Sequence, residues 1–153
     1  DDATPGELAV KSQTAFREYW GNVTSTEKAF ADGWFLTGDI AVIDAGAYRI
    51  LGRASIDIIK SGGFKLSALE IEATLLEHPK VSEVAVIGVP DHEWGELVAC
   101  ALVVHEQVSQ ESLIEWARER MSAYKVPRKW HFTDALPRNA LGKVTKPSLR
   151  SWF

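Results

Sequence analysis

Hydrophobic patterning changes character near Arg53, and that change limits what the chain can fold into more than any single motif does. Before it, residues 6–51 read as short extended runs separated by turns. Glu7-Leu8-Ala9-Val10 alternates, 35–43 is largely apolar, and Tyr48-Arg49-Ile50-Leu51 follows the turn Asp44-Ala45-Gly46. One short helix fits within 25–30, and these runs are too few and too short to promise a self-sufficient core. From about residue 54, helical and strand patterns alternate with loops of ordinary length, as in a small α+β domain.

In that second part Ser67-Ala68-Leu69-Glu70 is a capping box, where the Ser67 hydroxyl and the Glu70 carboxylate satisfy orphan amides at a helix start. Leu69, Glu72, Leu75 and Leu76 follow at helical spacing, and His78-Pro79 stops the helix. The runs 84–89 and 97–104 are short, apolar and rich in β-branched residues, so each predicts a buried strand, with 90–95 as the loop between them. Ser109 caps a second helix carrying Leu113, Ile114, Trp116, Ala117 and Met121 on or near one face, ahead of Pro127. A last strand is expected at 129–132.

With 153 residues, 46% of them hydrophobic, the chain can bury one sizeable core, or a medium core with a flank. Its 17 basic and 21 acidic residues give a formal charge of -4 and are mixed along the sequence, so neither a nucleic-acid nor a membrane footprint follows. Cys100 sits in an apolar run, which predicts a buried, inert thiol and fits a reducing compartment. No run is long enough for a membrane span, and the first residues lack the features of a signal peptide. A soluble intracellular protein is expected, in the cytoplasm or an organellar matrix.

Three clusters can carry chemistry. In Gly33-Trp34-Phe35-Leu36-Thr37-Gly38-Asp39, the Asp39 carboxylate can accept hydrogen bonds from two vicinal sugar hydroxyls, or simply cap a turn. In the stretch 52–65, the pair Gly62-Gly63 between extended runs permits positive φ and close backbone approach to a ligand, with Arg53, Lys60 and Lys65 available to phosphates. The same residues also describe a hairpin with a glycine turn and solvated lysines. In Pro137-Arg138-Asn139-Ala140-Leu141-Gly142-Lys143, the lysine is a mobile charge that can reach developing negative charge, or a plain surface residue. No two of the four histidines, at 78, 92, 105 and 131, have metal-ligand spacing, and no metal site is expected.

Taken in this order and at these separations, the clusters, with Glu70-Ile71-Glu72, resemble the late motifs of the adenylate-forming superfamily of acyl-CoA synthetases, peptide-synthetase adenylation domains and beetle luciferases. The resemblance implies a small α+β C-terminal lid domain at 58–153, with a short central sheet flanked by helices and an antiparallel hairpin. A hinge would lie at 53–57, and 1–52 would be a β-rich remnant of the large N-terminal domain. By position, Asp39 and Arg53 would bind ATP or AMP, and Lys143 would be the catalytic lysine of adenylation. Arg53, Ser55 and Asp57 would form the hinge, and Ser61, Gly62, Gly63 and Phe64 the pantetheine channel of CoA.

The family's hinge acid or lysine usually stands two residues after the arginine. Here that place is Ser55 and the acid, Asp57, comes two later, a spacing that looks most like the malonyl-CoA synthetase branch. Expected co-substrates are ATP and CoA, with Mg2+ accompanying ATP, and the expected partners are the large N-terminal domain and a carboxylic acid. The phosphate loop and acyl pocket of the family belong to that other domain, so the chain is expected to be inactive alone. Two rival readings are an adenylation domain loading a carrier protein and a non-catalytic α+β interaction domain.

Overall fold

Two glycine turns organise the first sheet. In the computed structural model, which describes residues 4–153, Asp32-Gly33 (φ 50° and 79°) joins β2 (Phe30–Ala31) to β3 (Trp34–Asp44). Ala45-Gly46 (φ 50° and 79°) joins β3 to β4 (Ala47–Arg53). Positive φ at both central residues matches the right-handed twist of a two-residue hairpin, and glycine supplies it without strain at the second position. β1 (Gly6–Val10) and β2 both pair antiparallel with β3, and α1 (Val23–Ala29) is capped by the Asn22 side chain, which accepts from the Ser25 amide. Among the described residues of this unit, which spans Asp1–Ser55, the buried hydrophobics are Ala41, Val42 and Leu51. An edge-and-tilt cluster of Phe16, Phe30 and Phe35 adds to them. That is little apolar burial for a unit of this size, although β3, at 11 residues, is longer than the short runs expected.

The second unit, Ile56–Phe153, is built on a five-stranded sheet. β5 (Ile58–Ser61) and β6 (Phe64–Ser67) form a hairpin whose turn is Gly62-Gly63, with φ 55° and 84°. α2 (Ala68–Leu76) follows at once, its first turn capped by Ser67 Oγ accepting from the Glu70 amide at 3.2 Å. β7 (Val81–Asp91) pairs antiparallel with β8 (Gly95–Val104) along nearly its whole length. α3 (Gln110–Arg120) is capped by Ser109, and β9 (Lys129–Phe132) lies parallel to β8. The strand order is β6-β5-β8-β7, with β9 on the same side of β8 as β5.

Alternation along β7 and β8 feeds two separate cores. Val86, Val98, Cys100 and Leu102 face α2 and α3, where Ile71, Leu75, Leu113 and Ala117 are buried. Ala85, Ile87, Val89, Ala99 and Ala101 face the other way, onto Leu136 and Leu149 from the C-terminal segment. Burial on both faces explains why 97–104 reads as one unbroken apolar run. The expected loop at 90–95 is shorter than its turn residues suggested, because β7 continues through Pro90 and Asp91 to pair with Glu96 and Gly95. β7 is the outermost strand, and a proline is tolerated at such an edge because no neighbour needs its missing N–H.

Candidate functional site

In the first unit, Thr37-Gly38-Asp39 lies within β3, and Asp39 stands opposite Arg53 of β4. Arg53 Nε is 3.1 Å from Asp39 Oδ1, and Arg53 Nη2 donates to the Thr37 carbonyl at 2.5 Å. Thr37 Oγ1 donates to the Leu8 carbonyl at 2.9 Å and accepts the Asp39 amide at 3.0 Å, so the hydroxyl fixes the local chain and leaves the carboxylate for other partners. Gly38 has φ 76°, and a Cβ built there would sit 3.4 Å from Arg53 Nη2. A residue with a side chain would be strained by its backbone there, with its Cβ in ordinary contact with the guanidinium. Asp39 and Arg53 are both partly exposed, so this pair contributes at most about 1 kcal/mol to stability and stays open to exchange partners.

In the second unit, Ser61 and Phe64 flank the Gly62-Gly63 turn. Gly62 donates its amide to the Trp94 carbonyl at 2.9 Å, and a Cβ at Gly62 would meet Trp94 Cε3 at 2.8 Å. The turn therefore lies against the Trp94 indole, and the Arg128 guanidinium stands over that ring, 4.1 Å from its centroid. Phe64 stacks on Tyr124, centroids 4.7 Å apart and planes 8° from parallel, with both rings about half exposed. Trp94 fills the space beside Gly62, whereas nothing lies within 4 Å of a Cβ built at Gly63, and the exposed aromatic stack stands beside the turn.

Lys143 is exposed on a turn tied off at several points. Asn139 and Lys143 are linked by an amide-to-carbonyl bond of 2.9 Å, and Asn139 Oδ1 accepts the amides of Leu141 and Lys143, each at 3.0 Å. The Gly142 amide donates to the Asn139 carbonyl and the Thr145 amide to the Pro137 carbonyl. Arg138 donates to the Gly142 carbonyl and pairs with Glu83 of β7. An asparagine whose side chain replaces backbone acceptors is the usual way to hold such a turn. The Lys143 ammonium is thus a charge on an ordered platform.

Three residues later the chain turns inward. Lys146 Nζ lies 2.5 Å from Asp57 Oδ1 and 2.8 Å from Glu72 Oε1, with all three side chains about one-eighth exposed. Glu72 Oε1 also accepts the Val86 amide at 2.7 Å. Desolvation pushes the Glu72 carboxyl above its usual range, opposed by the Lys146 charge. Of the residues expected at a hinge, Arg53 belongs to β4, Ser55 is exposed in a turn, and Asp57 is held in this buried cluster.

Lys146 and the turn-holding roles of Arg138 and Asn139 escaped the sequence reading. Asn139 within a Gly-containing loop was the available signal for the turn. Lys146 carried none, because a lysine beside a proline looks like a surface residue. Cys100 is buried and its thiol is pushed up by desolvation, as an inert core residue. The described residues hold no cluster of three His, Cys, Asp or Glu side chains suited to a metal, and no described helix is long and apolar enough to cross a membrane.

Residues 70–143 match the family model described as the AMP-binding enzyme C-terminal domain. The chain is 48% identical to human mitochondrial malonate–CoA ligase ACSF3, over 97% of its own length and 26% of that protein. It is 43% identical to the long-chain-fatty-acid–CoA ligase FadD13 of Mycobacterium tuberculosis, over 97% of its length and 30% of that protein. Among solved structures it is similar to o-succinylbenzoate CoA synthetase from Bacillus subtilis in complex with its acyl-adenylate intermediate, with TM-score 0.91 and 36% identity, over 98% of this chain and 31% of that one. The chain therefore spans between a quarter and a third of these relatives.

Proposed function

Since the chain belongs, through residues 70–143, to the AMP-binding enzyme C-terminal domain family, we infer that it is the C-terminal part of an ATP-dependent acid–CoA ligase. A carboxylate oxygen of the acid attacks the α-phosphorus of ATP, giving acyl-adenylate and pyrophosphate. The CoA thiol then attacks the acyl carbon, giving acyl-CoA and AMP. The observation that carries this reading is the exposed Lys143 on its braced turn, a cation aimed outward from ordered backbone.

In this reading Lys143 stabilises the charge that develops between carboxylate and phosphate as pyrophosphate leaves. Asp39 accepts hydrogen bonds from the ribose hydroxyls, and Arg53, already beside it, adds a cation to the nucleotide's surroundings. Rotation about 53–57 exchanges the Lys143 turn for the 61–64 hairpin, whose glycines let the pantetheine arm pass close to backbone. Mg2+ enters with the ATP phosphates as part of the substrate. The large N-terminal domain supplies the acid pocket. Malonate is the acid we favour, on the support of the 48% identity to a malonate–CoA ligase. The mitochondrial location in that relative's name supports an organellar matrix, and CoA as acceptor is supported over a carrier protein because these relatives are CoA ligases.

The test uses a full-length enzyme carrying this chain. Malonate-dependent ATP–pyrophosphate exchange is expected, and Lys143→Ala is expected to slow it about 100-fold or more. Thioester formation from supplied malonyl-adenylate stays within about threefold. Exchange with another acid but not malonate overturns the substrate and keeps the ligase. Equal loss in both half-reactions overturns the role of Lys143.

A further inference from the structure

Lys146 is the most unusual charge in the second unit. A surface lysine has a water-facing ammonium; this one is turned inward against two carboxylates, Asp57 and Glu72, its side chain only 12% exposed. Burying an ammonium costs several kcal/mol unless it is paired and hydrogen-bonded, so such a residue is held in place by its partners, which it holds in turn. The partners come from separate segments. Asp57 lies just before β5, where its carbonyl also accepts the Ala68 amide at 2.7 Å. Glu72 is on α2, and its other bond reaches Val86 of β7.

Lys146 itself is three residues beyond Lys143, a separation of at most about 10 Å of chain. One ammonium therefore ties the start of the second unit, its first helix and the central sheet to the base of the Lys143 turn. On the turn's other side, Arg138 is paired with Glu83 of β7. The turn is anchored at both ends, and Lys146 is the end that connects to Asp57, the last residue of the segment expected to pivot.

We propose that Lys146 is a positioning residue for the adenylation half-reaction, transmitting the orientation of the Asp57 segment to the Lys143 turn so that the two move as one body. The proposal rests on the ligase reading above. Lys146 touches no substrate in it and acts through the placement of Lys143.

The experiment compares Lys146→Met with the triple variant Lys146→Met, Asp57→Asn, Glu72→Gln in a full-length enzyme carrying this chain. The triple variant removes the two buried carboxylates that Lys146→Met leaves uncompensated, so it keeps the fold where the single change does not. Two readouts are taken. Hydrogen exchange of the turn amides of Asn139, Gly142, Lys143 and Thr145 is expected to quicken about tenfold or more in the triple variant, while β7 and β8 stay protected. The kcat of acid-dependent ATP–pyrophosphate exchange is expected to fall about tenfold or more at unchanged KM for ATP, with thioester formation from supplied acyl-adenylate within about threefold.

Turn amides that exchange at the unsubstituted rate in the folded triple variant overturn the anchoring. Quickened exchange with an unchanged adenylation kcat, or equal loss in both half-reactions, overturns the positioning role. If the unsubstituted enzyme shows no acid-dependent exchange with any acid, the ligase reading fails, and the amide exchange alone still decides whether Lys146 anchors the turn.

Discussion

The side-chain oxygen of Asn139 accepts the backbone amide of Lys143 at 3.0 Å, so the residue that orders the turn bonds directly to the residue the turn presents. Asn139→Ala removes this acceptor and the one for Leu141. The exposed turn loses about 1 kcal/mol of local order, with little change in global stability. In a full-length enzyme carrying the chain, the adenylation kcat is expected to fall about tenfold, because a misplaced cation stabilises less of the developing charge. Single-turnover measurement of adenylate formation checks this; an unchanged rate removes Asn139 from the positioning of Lys143.

Gly62 and Gly63 share positive φ but not surroundings. Alanine at either position meets a backbone cost of about 1–2 kcal/mol. At Gly62 its Cβ also runs into the Trp94 ring, whereas at Gly63 nothing lies within 4 Å. Gly62→Ala is therefore expected to lower the urea midpoint of the chain more than Gly63→Ala. Equal midpoints would show that the indole moves aside at no cost.

Asp39→Asn keeps the side chain's shape and removes its charge. The fold should change by less than about 1 kcal/mol, since the ion pair with Arg53 is partly exposed. The KM for ATP is expected to rise about tenfold or more in the full-length enzyme, from the loss of charge-assisted bonds to the ribose, with the KM for the acid unchanged. Steady-state kinetics with each substrate varied in turn distinguishes the two. A rise in the acid KM alone would contradict a nucleotide role.

His78 is buried, its ring edge-on to Trp116, and its Nδ1 accepts the Lys80 amide at 3.2 Å. Desolvation, with the nearby charges of Lys80 and Arg120, lowers its pKa from 6.5. Below that value the unfolded chain binds a proton that the folded chain resists, so stability is complete above it and falls as the pH drops. Glu72 works in the opposite direction, its raised pKa costing stability as the pH rises from about 4.5. Urea unfolding of the chain between pH 5 and 7.5 should show the unsubstituted protein losing stability relative to His78→Gln as the pH falls. A constant difference across that range would mean His78 is protonated alike in both states.

Much of the second unit was legible because its signals are local. The capping serines Ser67 and Ser109 start the two helices they were expected to start, and both apolar runs are strands. The loop at 90–95 was overextended because Pro90 and Gly95 normally mark turns, and only the outer position of β7 makes a paired proline harmless there.

The sequence by itself determined the elements and the order of the three motifs, since capping, alternation and glycine turns depend on residues within a few positions of one another. Tertiary structure alone decided that Leu136 and Leu149 cover the second face of the sheet, that Arg53 meets Asp39 across β3 and β4, and that Lys146 turns inward. These outcomes depend on partners far away in the chain. Lys146 and Asp57 are 89 positions apart, and whether a lysine faces water or a buried carboxylate is fixed only when the strands and helices between them have packed.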